Sequence, residues 1–145
     1  MADDDIEPLL EMVRASEWWG DADEDDLRCD GMAFAIEVDG QLAGWLGVSE
    51  ENEQDYRHAA LDITLMSEYQ NRGLGPEALR TAIDWLMGAR GHHRFTIDPA
   101  AHNKRAIAAY ERVGFRPVGI MRRYERSRDG TWHDGLLMDL VSEGR

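Results

Sequence analysis

An alternating run that empties into a glycine-rich hexapeptide constrains this chain most. Over residues 61–66, Leu61, Ile63 and Leu65 fall on one side and Asp62, Thr64 and Met66 on the other. That is the period of a half-buried strand with a carboxylate on its open face. Gln70-Asn71-Arg72-Gly73-Leu74-Gly75 follows, then Pro76, which suits the first turn of a helix carrying Leu79, Ile83, Leu86 and Met87 along one face. Gly88 and Gly91 are its expected stops. A strand, a glycine bend and a helix in that order aim unpaired backbone N–H groups at one anion, helped by the helix dipole. The spacing is neither G-x-G-x-x-G nor G-x-x-x-x-G-K-[ST], so NAD and ATP sites lose their support and a pyrophosphate on another carrier remains. Without further context, such a bend is only a C-cap and an N-cap meeting.

The flanking segments supply that context. Ile6, Leu9, Leu10 and Val13 have helical spacing, with Asp3 or Asp4 as N-cap and an end near Glu17. Trp18-Trp19-Gly20 and an acidic run to Asp26 follow, too charged for core. Two apolar runs, 32–38 and 41–48, flank Asp39-Gly40 and predict a hairpin. A polar loop, 49–58, leads into the central strand. Residues 94–98 read as a strand closed by Pro99, 103–112 as a helix stopped by Gly114, and 115–121 and 132–140 as strands around Asp129-Gly130. This order predicts one α/β domain over 1–145: a mixed, partly antiparallel sheet flanked by helices.

At 145 residues and 43% hydrophobic the chain can fill one core, which excludes disorder and collagen-like repeats. Apolar runs fall far short of the roughly 20 residues that span a bilayer, and the acidic start lacks a signal-peptide n-region, so a soluble, cytoplasmic protein is expected. One cysteine, Cys29, makes no internal disulfide and has no partner at zinc spacing, so no metal is expected. The net charge of −13 is uneven: residues 1–55 hold 18 acids against Arg14 and Arg28, and the remainder is mildly basic. The acidic half disfavours nucleic acid and anionic membrane and suits a polycation; the basic half tolerates a phosphorylated ligand. The alternative for the acids is solubility alone.

The hexapeptide Gln70-Asn71-Arg72-Gly73-Leu74-Gly75 resembles the acetyl-CoA pyrophosphate loop, Q/R-x-x-G-x-G/A, of the GNAT superfamily of N-acetyltransferases. Asn103, Ala106, Tyr110, Gly114 and Phe115 fall as in the N-x-x-A-x-x-x-Y-x-x-x-G-F stretch that lines the other side of that cofactor. The resemblance covers about residues 30 to 140 and implies a GNAT-type sheet. Within the superfamily, Glu17-Trp18-Trp19-Gly20, Ile97-Asp98-Pro99 and the acid of the central strand are similar to aminoglycoside 6'-N-acetyltransferases. One departure is that GNAT chains usually open with a strand before the first helix. Here the first strand is either absent or lies upstream.

The resemblance implies direct transfer of acetyl from acetyl-CoA to an amine. The chain lacks G-x-S-x-G, and Cys29 beside Asp30 sits in an acidic stretch that raises a thiol pKa, so no acyl-enzyme is expected. Asp62 is the candidate to bind the ammonium and take its proton; Tyr110, by resemblance, is the general acid for the thiolate. Their alternatives are a solvated strand carboxylate and a core tyrosine. The oxyanion donor is a backbone N–H near Leu65 or Met66. The 70–75 loop and Asn103 hold the cofactor. A polyamine needs several carboxylates, because an unpaired ammonium loses several kcal/mol on desolvation. Asp62 and Asp98 lead, with Glu53, Asp55 and Asp134 as additions that are otherwise surface charge. Trp18 and Trp19 are candidate walls for a sugar, or core. His92, His93 and His102 read as surface, and Arg122, Arg123, Arg126 and Arg128 as an exposed edge or a contact to the CoA 3'-phosphate. Three functions follow: an aminoglycoside 6'-N-acetyltransferase, a GNAT enzyme for another amine (polyamine, metabolite or protein N-terminus), and a non-catalytic acyl-CoA-binding or polycation-sequestering domain. A monomer or homodimer is expected.

Overall fold

A computed structural model describes residues 1–14, 23–28 and 32–142. After a 3-10 turn at Asp3–Asp5 come α1 (Ile6–Arg14) and α2 (Glu24–Arg28), then β1 (Met32–Val38), β2 (Gln41–Glu51) and β3 (His58–Leu65). The second half is α3 (Leu74–Arg90), β4 (Arg94–Ile97), α4 (Lys104–Val113), β5 (Arg116–Arg126) and β6 (Trp132–Val141). The six strands form one sheet in the order β1-β2-β3-β4-β6-β5, antiparallel except for β3 with β4. Among the described residues no strand precedes α1, and β1 is a sheet edge.

Alternation sorts the strands onto two faces. Leu46, Val48, Ala59, Leu61, Phe95, Ile97 and Met138 join Leu79, Ile83 and Leu86 of α3 and Ile107 of α4 in the main core. On the opposite face a smaller core holds Leu9, Leu10, Leu27 and Trp45. Leu27 is fully buried although acids surround it in sequence, so the acidic run is partly a helix that covers the sheet, contrary to expectation. Other boundaries also move. Asp39 and Gly40 both have positive φ (51° and 78°), as a two-residue hairpin with a type I′ turn requires. The strand before the expected polar loop continues to Glu51. Gly88 sits inside α3, which ends at left-handed Gly91. Neither Asp3 nor Asp4 caps the first helix; Ala2 precedes the 3-10 turn, and its N–H bonds the Asp5 carboxylate at 2.9 Å.

The sheet is open at one place. β3 and β4 are paired only at Ala59 with Phe95 and Ala60 with Thr96. Pro99, just past β4, has no N–H to give, and the chain there stays with β6: Leu136 N–H bonds Pro99 O and Ala101 N–H bonds Asp134 O, both at 2.8 Å. The C-terminal half of β3 therefore loses its neighbour, and the two strands part.

Candidate active site

The opening between the parted strands leads into a cleft of about 450 Å³. Its floor is Ile63, Thr64 and Leu65; one wall is the glycine loop from Gln70 to Pro76, and the other is α4 with Asn103, Arg105, Ala106, Tyr110 and Arg112. Met66 N–H bonds Ala43 O at 2.8 Å, in register with Gly44 opposite Leu65. Antiparallel pairs alternate in bonding, so Asp62, Thr64 and Met66 face their backbone groups to β2, and Ile63 and Leu65 face theirs to the vacated edge. Of the two expected oxyanion donors, Met66 is thus occupied and Leu65 has the free direction.

The loop is open and its backbone is twisted on purpose. Asn71, Arg72 and Gly73 are exposed, and left-handed residues Asn71 (φ 63°) and Gly73 (φ 76°) flank Arg72, the kind of alternation that turns successive N–H groups toward one point. Gly73 is the N-cap of α3, where the Leu74 and Gly75 N–H groups have no intrahelical acceptor by geometry. Gln70 fastens the loop to the strand through its side-chain amide, which donates to Leu65 O at 3.0 Å. The Arg72 guanidinium turns away, donating to Glu68 O and lying 5.5 Å over the Tyr69 ring, so Arg72 offers the cleft backbone only. Asn103 caps α4, its oxygen accepting from Ala106 N–H at 3.2 Å. The cationic side chains of the cleft are Arg105 and Arg112, which sequence reasoning passed over. The exposed bases Arg122, Arg123 and Arg126 lie on β5, outside it.

On the other face of β3, Asp62 stands opposite Gly47. A Cβ at Gly47 would lie 2.4 Å from the Trp45 ring, which covers it and donates its indole N–H to Leu27 O at 2.7 Å. Asp62 is accessible to solvent yet ringed by protein. Lost hydration, then the charges of Asp98 and Glu125, push its carboxyl up to about 7, against a smaller opposing pull from the Ile63 N–H. Asp98, at the end of β4, is also raised by desolvation, while a 2.6 Å bond from the Tyr124 hydroxyl favours its charged form. Burial pushes the Tyr110 phenol up, with Asp62 and Asp98 adding to it, so it stays protonated through the physiological range. Its ring packs edge-on to Phe115 at 6.4 Å.

The structure brings together Asp62, Asp98 and Tyr110 and adds Tyr124 and Glu125, which sequence reasoning missed. Glu53 and Asp55 do not join them: they sit in the exposed loop before β3, and Asp62 is four residues along that strand, roughly 13 Å of rise. Asp134 is near in topology, but its carboxylate accepts the Arg123 N–H at 2.9 Å. Trp18 and Trp19 lie outside the described residues. His92 is buried, not a surface residue; its Nε2 is 2.6 Å from Glu50, which Arg90 also binds and which is held down to about 2, chiefly by the Arg90 bonds. Among the described residues no group of side chains could hold a metal ion, and no helix is long and apolar enough to cross a membrane.

Residues 3–115 match the Acetyltransferase (GNAT) family. The chain belongs to that family. It is 30% identical over 105 residues to spermidine N(1)-acetyltransferase of Escherichia coli K12, covering 72% of this chain and 55% of the relative. It is 37% identical over 79 residues to the [ribosomal protein bS18]-alanine N-acetyltransferase of the same organism, covering 54% and 52%. The GNAT chain thus spans about half the length of these curated relatives. The solved ribosomal-protein-alanine N-acetyltransferase of Brucella melitensis shares the fold, with a TM-score of 0.79 at 20% identity over 97% of this chain and 96% of that one.

Proposed function

We propose that this GNAT chain moves an acetyl group from acetyl-CoA to a primary amine of a small polycation, a polyamine in the first instance. The observation that carries the reading is the trio of carboxylates Asp62, Asp98 and Glu125, close enough for Asp98 and Glu125 to raise Asp62 electrostatically. A single N-terminal ammonium does not call for three negative groups, whereas a second and third ammonium do. The relative named for spermidine agrees with this reading. The aminoglycoside 6'-amine reading keeps Asp62 and Asp98 but loses Glu53 and Asp55, which lie at the far end of β3. The relative named for a protein alanine favours the peptide reading, which the cleft alone does not distinguish.

In this scheme the N–H groups of Gly73, Leu74 and Gly75 hold the diphosphate, with Asn71 shaping the bend and Arg105 and Arg112 adding charge. Leu65 N–H donates to the thioester oxygen as that oxygen gains negative charge. Asp62, ionised at half occupancy near pH 7, takes a proton from the ammonium and frees its lone pair. The nitrogen–carbon bond forms as the carbon–sulfur bond breaks, and Tyr110 gives its phenolic proton to the departing thiolate. No covalent enzyme intermediate is needed. A thiol-release assay with spermidine, a kanamycin-type compound and an alanine-initiated peptide tests the assignment. Spermidine turnover supports it; turnover of the peptide alone, or of the antibiotic alone, replaces it with one of the other two readings, and binding without thiol release removes catalysis altogether.

A further inference from the structure

We propose that Asp134 is a positioning residue that fixes Tyr124 on Asp98, and does not itself meet the substrate ammonium; the inference rests on the amine-site reading above. β5 and β6 lose register between Met121, opposite Gly135, and Glu125, opposite His133. Three residues of β5, Arg122 to Tyr124, therefore face Asp134 alone. A bulge of that size strips ladder partners from the backbone and needs a substitute. Asp134 is that substitute: its Oδ1 accepts the N–H of Arg123, held in a left-handed conformation at φ 48°. A non-glycine residue there is strained and persists only where its surroundings fix it. The Asp134 carbonyl at the same time accepts from Ala101 N–H at 2.8 Å, tying the bulge to the segment that follows Asp98.

Gly135 completes the device. A Cβ there would fall 2.9 Å from Tyr124 Cδ2 and 3.3 Å from Met121 Cε, so the Tyr124 ring lies where only glycine leaves room. The outcome is a hydroxyl donating to Asp98 Oδ2 at 2.6 Å, with Glu125 leaving the bulge close enough to act on Asp62. Asp134, Gly135 and Tyr124 thus determine how many carboxylate oxygens greet an incoming amine. Asp134 serves this through an acceptor oxygen, not through its charge.

The distinction is testable because asparagine keeps the oxygen and loses the charge. Asp134→Asn should leave the amine KM within about twofold of wild type, while Asp134→Ala should raise it at least fivefold, with acetyl-CoA affinity unchanged in both. Tyr124→Phe should reproduce the alanine effect, and adding Asp134→Ala to it should cost little more. Tyrosine labelled at Cζ gives a readout that needs no turnover: at pH 7 the Tyr124 resonance should move in Asp134→Ala to its position in Asp98→Ala, where the acceptor of its hydroxyl is gone, and stay in place in Asp134→Asn. An Asp134→Asn loss as large as the alanine loss, with the Tyr124 resonance unmoved, would make Asp134 a substrate contact and overturn the proposal. A Tyr124 resonance unmoved in Asp134→Ala would overturn it also where no amine is turned over, an outcome that by itself refutes only the amine-site reading.

Discussion

Replacing Asp62 by asparagine should separate what the carboxylate does for catalysis from what it costs the fold. The group rises from an ordinary 3.8 to about 7, chiefly because protein displaces its water. A shift of about three pH units has a ceiling of roughly 4 kcal/mol. Because the carboxylate still reaches solvent, screening leaves on the order of 1–2 kcal/mol of it. The sign follows from which state holds the proton more tightly. The folded chain does, so the protonated group's contribution is complete below about pH 4 and is lost as pH rises through 7. Asparagine mimics the neutral form at every pH. Urea unfolding of wild type and Asp62→Asn at pH 5.5 and 8.5 should therefore show the variant gaining about 1 kcal/mol on wild type between the two, or roughly 2–4 °C in Tm. The same variant should lose most of its turnover while binding acetyl-CoA normally. Equal pH dependence in the two proteins would refute the claim that Asp62 is poorly solvated.

With the amine in its reactive form held constant by correction, kcat/KM should fall about tenfold per pH unit below 7, since Asp62 must be ionised to take a proton; a flat profile from pH 5.5 to 8.5 would leave Asp62 orienting only. Leu27→Ala should cost roughly 3 kcal/mol in urea unfolding, because Leu27 is fully buried in the small core beside Trp45. A loss below about 1 kcal/mol would mean that this face is not packed as described.

What was legible in the sequence was local. Asp39-Gly40 announced its hairpin because two positive φ values suit few other dipeptides, and the glycine bend announced its helix because Gly73 must be left-handed. What was not legible was set by contacts distant along the chain. His92 passed for surface because its partner, Glu50, is 42 residues away. Leu27 was hidden because a five-residue helix is too short to show a period. Glu53 and Asp55 were grouped with Asp62 because proximity in sequence does not say which end of a strand a loop occupies. Tyr124 is not legible in the sequence because its place depends on the bulge opposite Asp134, whose carboxylate accepts the Arg123 N–H from another strand.

The proposed function rests most directly on coenzyme binding by the loop that leads into α3. Isothermal calorimetry of acetyl-CoA with the wild-type chain and with Gly73→Val tests it, since Gly73 has φ 76° and free space around its Cα, so a branched side chain strains the bend and covers its N–H groups without touching the core. One-to-one binding to wild type is predicted, with affinity at least about fivefold weaker in the variant, the equivalent of strain of about 1–3 kcal/mol. No heat with wild type, or equal affinity in the two, would contradict it.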